Sequence, residues 1–99
     1  MDQVTAKYET GLKAALLDPE EAAAYLDSAL EENDQELFLL ALRDIADAHG
    51  FSKVAQDTLL NRENLYRMLS STGNPQLSSL ITLLQSFGLR LAVEVKQTA

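Results

Sequence analysis

A pair of short predicted helices joined by a tight turn, in the second half of the chain, constrains the fold most. The first is predicted over residues 52–58, with Ser52 as its N-cap, and the second over residues 62–70. Residues 59–61 form the turn. Asn61 can cap the second helix, because its short polar side chain accepts hydrogen bonds from the free N–H groups of a first helical turn.

The second helix of this pair has one apolar and one polar face. Its apolar residues follow i, i+3, i+4 spacing, which predicts a buried stripe of Leu65, Met68 and Leu69. The opposite face carries Arg62, Glu63, Tyr66 and Arg67. This layout is typical of a helix-turn-helix that presents polar side chains to the DNA major groove, although an αα-hairpin with a solvated face is an alternative. Leu59 occupies a turn position that favours Gly, so either the turn differs slightly here or it tolerates a strain of about 1 kcal/mol or more.

The polar face supplies the candidate contacts to DNA. Arg62 and Arg67 are predicted to read bases, because a guanidinium can donate two hydrogen bonds to guanine. Glu63 can accept from cytosine or orient an arginine. Asn64 and Tyr66 are candidates for phosphate contacts, although Tyr66 can instead pack on the preceding helix. Further contacts to the DNA backbone are predicted at a helix start and in a polar loop, by Ser52, Lys53 and Asn74.

Charge is distributed unevenly along the chain. Residues 1–49 carry twelve acidic and three basic side chains, net −9, whereas residues 50–99 carry three acidic and five basic ones, net +2. Because phosphates repel carboxylates, the acidic half cannot form a nucleic-acid interface. It suits a basic protein partner, or it is a solvated surface that aids solubility.

Capping residues predict three further helices. Asp18 followed by Pro19 begins the first, and Asn33 can end it in a left-handed conformation. Asp34 caps the second, a wide apolar helix that ends at Gly50. The predicted bounds are residues 18–32, 35–49 and 77–87.

The C-terminal segment, residues 89–95, alternates apolar and polar side chains, which predicts a β-strand. A strand needs a partner for its backbone groups, so we expect it to pair with a second copy of the chain or with an N-terminal arm. The alternative is an apolar tail lying on the helices. Residues 1–17 are predicted to form that arm, which is either extended or a short helix from about residue 10. Residues 18–99 are predicted to form a single domain.

Several function classes lack support in the sequence. The 99 residues include no cysteine, which excludes disulfides and thiolate metal sites. No apolar run is long enough for a membrane span or a signal peptide, so we expect a cytoplasmic protein. No nucleophile–base pair, metal cluster or glycine-rich phosphate loop is present, so we expect no enzymatic activity, cofactor or metal. His49 is expected in a last helical turn, bonded to a free carbonyl.

The chain resembles the addiction module antidote proteins over roughly residues 5–95. The resemblance is carried by AAAYLDSAL, by NRENLYRML, and by GNPQLSSL followed by an LxLxV pattern. These proteins are antitoxins of type II toxin–antitoxin modules with a lambda-repressor-like (XRE) helix-turn-helix. The departure is Leu59, where the family usually has Gly.

The resemblance implies an all-α, five-helix, lambda-repressor-like fold with a short C-terminal β-strand. It implies an antitoxin that neutralises a small RelE/ParE-like toxin and acts as a homodimer on double-stranded operator DNA to repress its own operon. We expect residues 1–49 to supply most of the toxin contact. The alternatives are a helical protein–protein interaction module and a stand-alone transcriptional regulator without a toxin partner.

Overall fold

A computed structural model describes residues 11–97, which fold into helices connected by short loops. The helices are α1 (residues 11–16), α2 (Pro19–Glu31), α3 (Gln35–His49), α4 (Phe51–Thr58), α5 (Arg62–Met68) and α6 (Leu77–Ser86). The all-α prediction is confirmed, but the described part contains six helices rather than five, because α1 adds one. The first ten residues of the predicted N-terminal arm lie outside the described residues.

The predicted caps of α2 and α3 are confirmed. The Asp18 carboxylate accepts from the N–H of Glu20 at 3.0 Å, and Pro19 is the first helical residue. Asn33 takes the left-handed conformation expected of it, with φ +54°. The Asp34 carboxylate accepts from the first-turn N–H groups of α3. The sequence therefore determines both ends of the α2–α3 loop.

A single residue, Gly50, joins α3 to α4. With φ +95°, its N–H donates to the carbonyls of Ala46 and Asp47, and its own carbonyl accepts from the N–H of Val54. The prediction that Ser52 caps α4 is wrong, because the glycine ends one helix and begins the next at Phe51.

The core forms where α2 packs on α3, α3 on α4, and α4 on both α5 and α6. Its most deeply buried side chains include Leu42, Ile45, Leu65 and Leu83. Three leucines on the apolar stripes of their helices, Leu30, Leu37 and Leu77, are nevertheless 55%, 37% and 62% exposed. All three lie in terminal turns, where the neighbouring helices no longer cover them.

The predicted C-terminal β-strand is wrong for the described chain. Residues 89–97 have no regular secondary structure, since no described segment lies alongside to share backbone hydrogen bonds. Leu89 packs against the core, whereas Val93 and Val95 are almost fully exposed. The alternative, an apolar tail lying on the helices, therefore holds only for the start of the segment.

The turn between α4 and α5 has the expected strain. Leu59 adopts φ +59° and ψ +19°, in the left-handed region, and its side chain is 92% exposed. The Thr58 hydroxyl donates to the Val54 carbonyl at 2.7 Å and accepts from the N–H of Leu60 at 3.2 Å. These two hydrogen bonds hold the turn in the conformation that the leucine disfavours.

Replacing Leu59 with glycine is expected to raise the free energy of unfolding by up to about 1 kcal/mol, because glycine adopts positive φ without steric cost. Urea denaturation followed by circular dichroism measures the change. Leu59→Ala is the matched control, since it removes the same exposed side chain and keeps the strain. Equal stability of the two variants would show that the turn stores no such energy.

Candidate nucleic-acid interface

Helix α5 is fixed to the protein by its apolar face. Leu65 is fully buried, as is Leu69 at the helix end, and the Asn61 side chain accepts from the N–H of Glu63 at 2.8 Å, as predicted. The helix ends at Met68, two residues earlier than predicted, because Leu69 leaves the helical conformation. The side chains predicted to face outward, Arg62, Glu63, Tyr66 and Arg67, are all exposed.

An aromatic stack connects this outer face to α4. The rings of Tyr66 and Phe51 are nearly parallel, with centroids 4.4 Å apart. Two guanidinium carbons lie over the Tyr66 ring, that of Arg62 at 5.8 Å and that of Arg43 at 5.9 Å from the centroid. Tyr66 therefore packs on the preceding helix, which is the alternative to a phosphate contact, and places two cations at one edge of α5.

The second predicted base-reading residue is held by its own helix. Nη2 of Arg67 donates to the side-chain oxygen of Asn64 at 2.8 Å. A guanidinium has five N–H donors, so this single bond orients Arg67 and leaves donors for a ligand. Among the described contacts, Asn64 rather than Glu63 is the residue that orients an arginine.

A groove of about 490 Å³ runs between α5 and the loop that follows it. It brings together three of the predicted contact residues, Asn64, Arg67 and Asn74, although they are up to ten positions apart in the sequence. Its other polar lining residues include Ser70, Thr72, Gln76 and Ser79. The groove therefore joins one predicted base-reading arginine to candidate backbone contacts on one polar surface.

The two predicted contacts on α4, Ser52 and Lys53, do not line this groove. Both are exposed, and the Lys53 ammonium forms an ion pair with Asp57 at 2.9 Å, one helical turn away. Arg43, in contrast, is absent from the sequence-based predictions and reaches the interface from α3. It is the single basic residue between positions 14 and 52, and an isolated cation in an acidic segment is the signal that sequence reasoning missed.

His49 stacks on Phe87, with ring centroids 5.1 Å apart, at the junction of α3 and α6. Its Nε2 atom is buried and has no hydrogen-bond partner among the described residues, so the expected bond to a carbonyl is not seen at that atom. Burial, and secondarily the charge of Lys53, lower the pKa of His49, while Asp57 acts in the opposite direction. The ring is therefore a packing element that favours its neutral form.

Comparison with known proteins gives the family. The family described as "Probable addiction module antidote protein" matches residues 7–95, nearly the whole chain. The chain belongs to this family. An uncharacterized protein of Haemophilus influenzae (strain Rd) is 38% identical over 84 residues, covering 85% of this chain and 87% of its own length. No solved structure gives a significant match.

The described part of this antidote-family chain contains no helix long and apolar enough to cross a membrane. Nor do three or more His, Asp or Glu side chains within residues 11–97 come together as a possible metal site.

Lowering the pH from 7 to about 5.5 is expected to destabilise the protein through His49. The pKa of His49 is lowered on folding from its ordinary 6.5, so below that pH the unfolded chain binds a proton that the folded chain does not. The variant His49→Phe keeps the stack on Phe87 and removes the titration. Urea denaturation at both pH values should show a larger loss in the wild type, and parallel losses would contradict this assignment.

Proposed function

We propose that this protein is the antitoxin of a type II toxin–antitoxin module. It neutralises a small RelE/ParE-like toxin and, as a homodimer, binds operator DNA through α4 and α5 to repress its own operon in the cytoplasm. Family membership supports the antitoxin role and a non-enzymatic one. The observation that carries the DNA-binding role is the outward, ordered pair of arginines on a helix whose opposite face is buried.

The geometry of α4, the turn and α5 supports a lambda-repressor-like helix-turn-helix. Three residues separate the two helices, and α5 exposes Arg62 near its start and Arg67 in its last turn. In such motifs the second helix lies in the major groove, and side chains on its exposed face contact bases. Here those side chains are held by Tyr66 and Asn64, which lowers the entropy lost when the arginines bind.

The rest of the polar groove supports contacts to the DNA backbone. Asn74 lies on the loop beside α5, where uncharged side chains can donate to phosphates. Arg43 adds a cation next to Arg62, so the positive charge extends across two helices. A homodimer would present two such surfaces, about one DNA helical turn or roughly 34 Å apart if they enter successive major grooves.

The acidic half offers a separate surface for the toxin. Between Pro19 and His49 the chain has nine acidic residues and one basic residue. Leu30, Leu37 and Leu40 are exposed on the same two helices, and Leu37 and Leu40 line a shallow cleft with Tyr25 and Glu32. An apolar patch rimmed by carboxylates suits a basic partner that buries an apolar anchor.

Arg67→Ala is expected to weaken binding to the DNA upstream of its own gene by roughly 1–3 kcal/mol and to relax specificity at one base position. A gel shift with that DNA, at one fixed salt concentration, measures the loss. Lys13→Ala is the control, because it removes a positive charge on α1, where Lys13 pairs with Asp47. Equal binding by Arg67→Ala and the wild type would show that this arginine does not contact the DNA. If the wild-type protein gave no gel shift at all, the protein would be an interaction module that does not bind DNA.

Leu40→Ala is expected to lower affinity for the toxin about tenfold, because truncating a buried apolar anchor costs at least about 1–2 kcal/mol. Titration calorimetry with the small basic protein encoded beside this gene measures the change. Leu77→Ala truncates a similarly exposed leucine on α6 and is expected to have no effect. If the Leu40→Ala variant bound the toxin with wild-type affinity, this face of α2 and α3 would be excluded as the toxin-binding surface.

A further inference from the structure

The last nine described residues, 89–97, combine strand-like alternation with an absence of local partners. Leu89 donates its N–H to the Leu84 carbonyl at 2.9 Å, and within the described residues no backbone group after it takes part in a hydrogen bond. Neither Arg90 nor Glu94 forms an ion pair in this part of the chain. Both side chains and the backbone edge are therefore available to another molecule.

The sequence of this segment, LRLAVEV, is complementary to itself in the antiparallel direction. If Ala92 of one copy lies opposite Ala92 of a second copy, Arg90 faces Glu94 of the partner subunit, and Glu94 faces Arg90 of the partner subunit. Directly opposed residues in antiparallel strands have Cβ atoms about 5 Å apart, close enough for opposite charges to attract. A shift of the pairing by one residue would place these charges opposite apolar side chains.

The same register pairs the apolar residues. Leu91 would lie opposite Val93 of the partner subunit, and Leu89 opposite Val95 of the partner subunit. In this antiparallel arrangement the two-fold axis is perpendicular to the strands, so the apolar side chains of both copies project from one face. Val93 and Val95, now 96% and 92% exposed, would gain apolar neighbours.

The tail already lies along apolar surface of its own copy. Leu89 packs on the core, and Leu91 lines a groove of about 400 Å³ with Leu26 and Phe38, which Arg90, Ala92 and Glu94 also line. A second strand paired with the tail would therefore lie beside this groove and add apolar side chains next to it.

We propose that residues 89–95 of two copies form an antiparallel two-stranded ribbon centred on Ala92, and that this ribbon is a dimer contact of the protein. The proposal gives the homodimer suggested above a defined contact and rests on that part of the proposed function alone. In this dimer the tail of one copy pairs with the tail of the second copy in a single register, which forms two symmetric Arg90–Glu94 pairs.

Charge reversal of the full-length protein tests this register. Arg90→Glu places two carboxylates opposite each other in both pairs, and Glu94→Arg places two guanidinium groups opposite each other. Each variant alone is expected to raise the dimer dissociation constant about tenfold or more, because two attractive pairs become repulsive. Sedimentation velocity over a concentration series at low salt measures the constant, without DNA or toxin.

Mixing the two variants provides the decisive measurement. In a mixed dimer, both pairs join a carboxylate of one variant to a guanidinium group of the other, so an equimolar mixture should associate about as tightly as the wild type. Lys96→Glu is the matched control: it reverses a charge in the same tail, but in this register residue 96 faces the uncharged Gly88. Its dissociation constant should stay within about twofold of the wild-type value, because no cross-strand pair is altered.

Three results would overturn the ribbon. These are a wild-type protein that stays monomeric, single variants that associate like the wild type, and a mixture that associates no better than its components. The second result would show that the two copies associate through a surface other than these tails. Operator and toxin binding are measured in separate assays, so failure of the ribbon would leave the antitoxin proposal standing, and the reverse.

Discussion

The Thr58 hydroxyl makes the interaction on which the orientation of α5 depends. It is buried, donates to the carbonyl of Val54 in the helix before it, and accepts from the N–H of Leu60 in the turn after it. Without the second bond, the N–H of Leu60 would lose its partner in a half-buried turn, which costs free energy. With the turn fixed in this way, the buried Leu65 determines which face of α5 is exposed.

Neighbouring side chains hold Arg62 and Arg67, the two residues proposed to read DNA bases, in ordered positions. The Tyr66 ring stacks on Phe51, the guanidinium carbons of Arg62 and Arg43 lie 5.8 Å and 5.9 Å from its centroid, and the Asn64 side chain accepts a hydrogen bond from Arg67. Such ordering before binding reduces the entropy lost on complex formation. The acidic helices α2 and α3 carry the opposite net charge, so the molecule has two surfaces of different chemistry.

Most helices of this chain can be predicted because their ends are specified by local chemistry. Asp18, Asp34 and Asn61 act as caps through side-chain bonds to residues two or three positions away, which a sequence pattern reveals. The predictions fail where the structure of a residue or segment depends on contacts with residues that are distant in the sequence or not present in the described chain. The spacing of Leu77 predicts burial, but the residue lies beyond the reach of the core, and the C-terminal alternation has no described segment to pair with. The contribution of Arg43 depends on how α3 and α5 both pack against α4, which no local pattern encodes.

The junction at Gly50 has a mechanical consequence. Because one residue both closes α3 and opens α4, no spacer separates the acidic helix pair from the helices that carry the arginines. A partner that tilts α3 must either rotate the backbone of that glycine or carry α4 along with it. A change in the orientation of α3 is therefore transmitted to α4 unless the backbone dihedral angles of Gly50 change to absorb it.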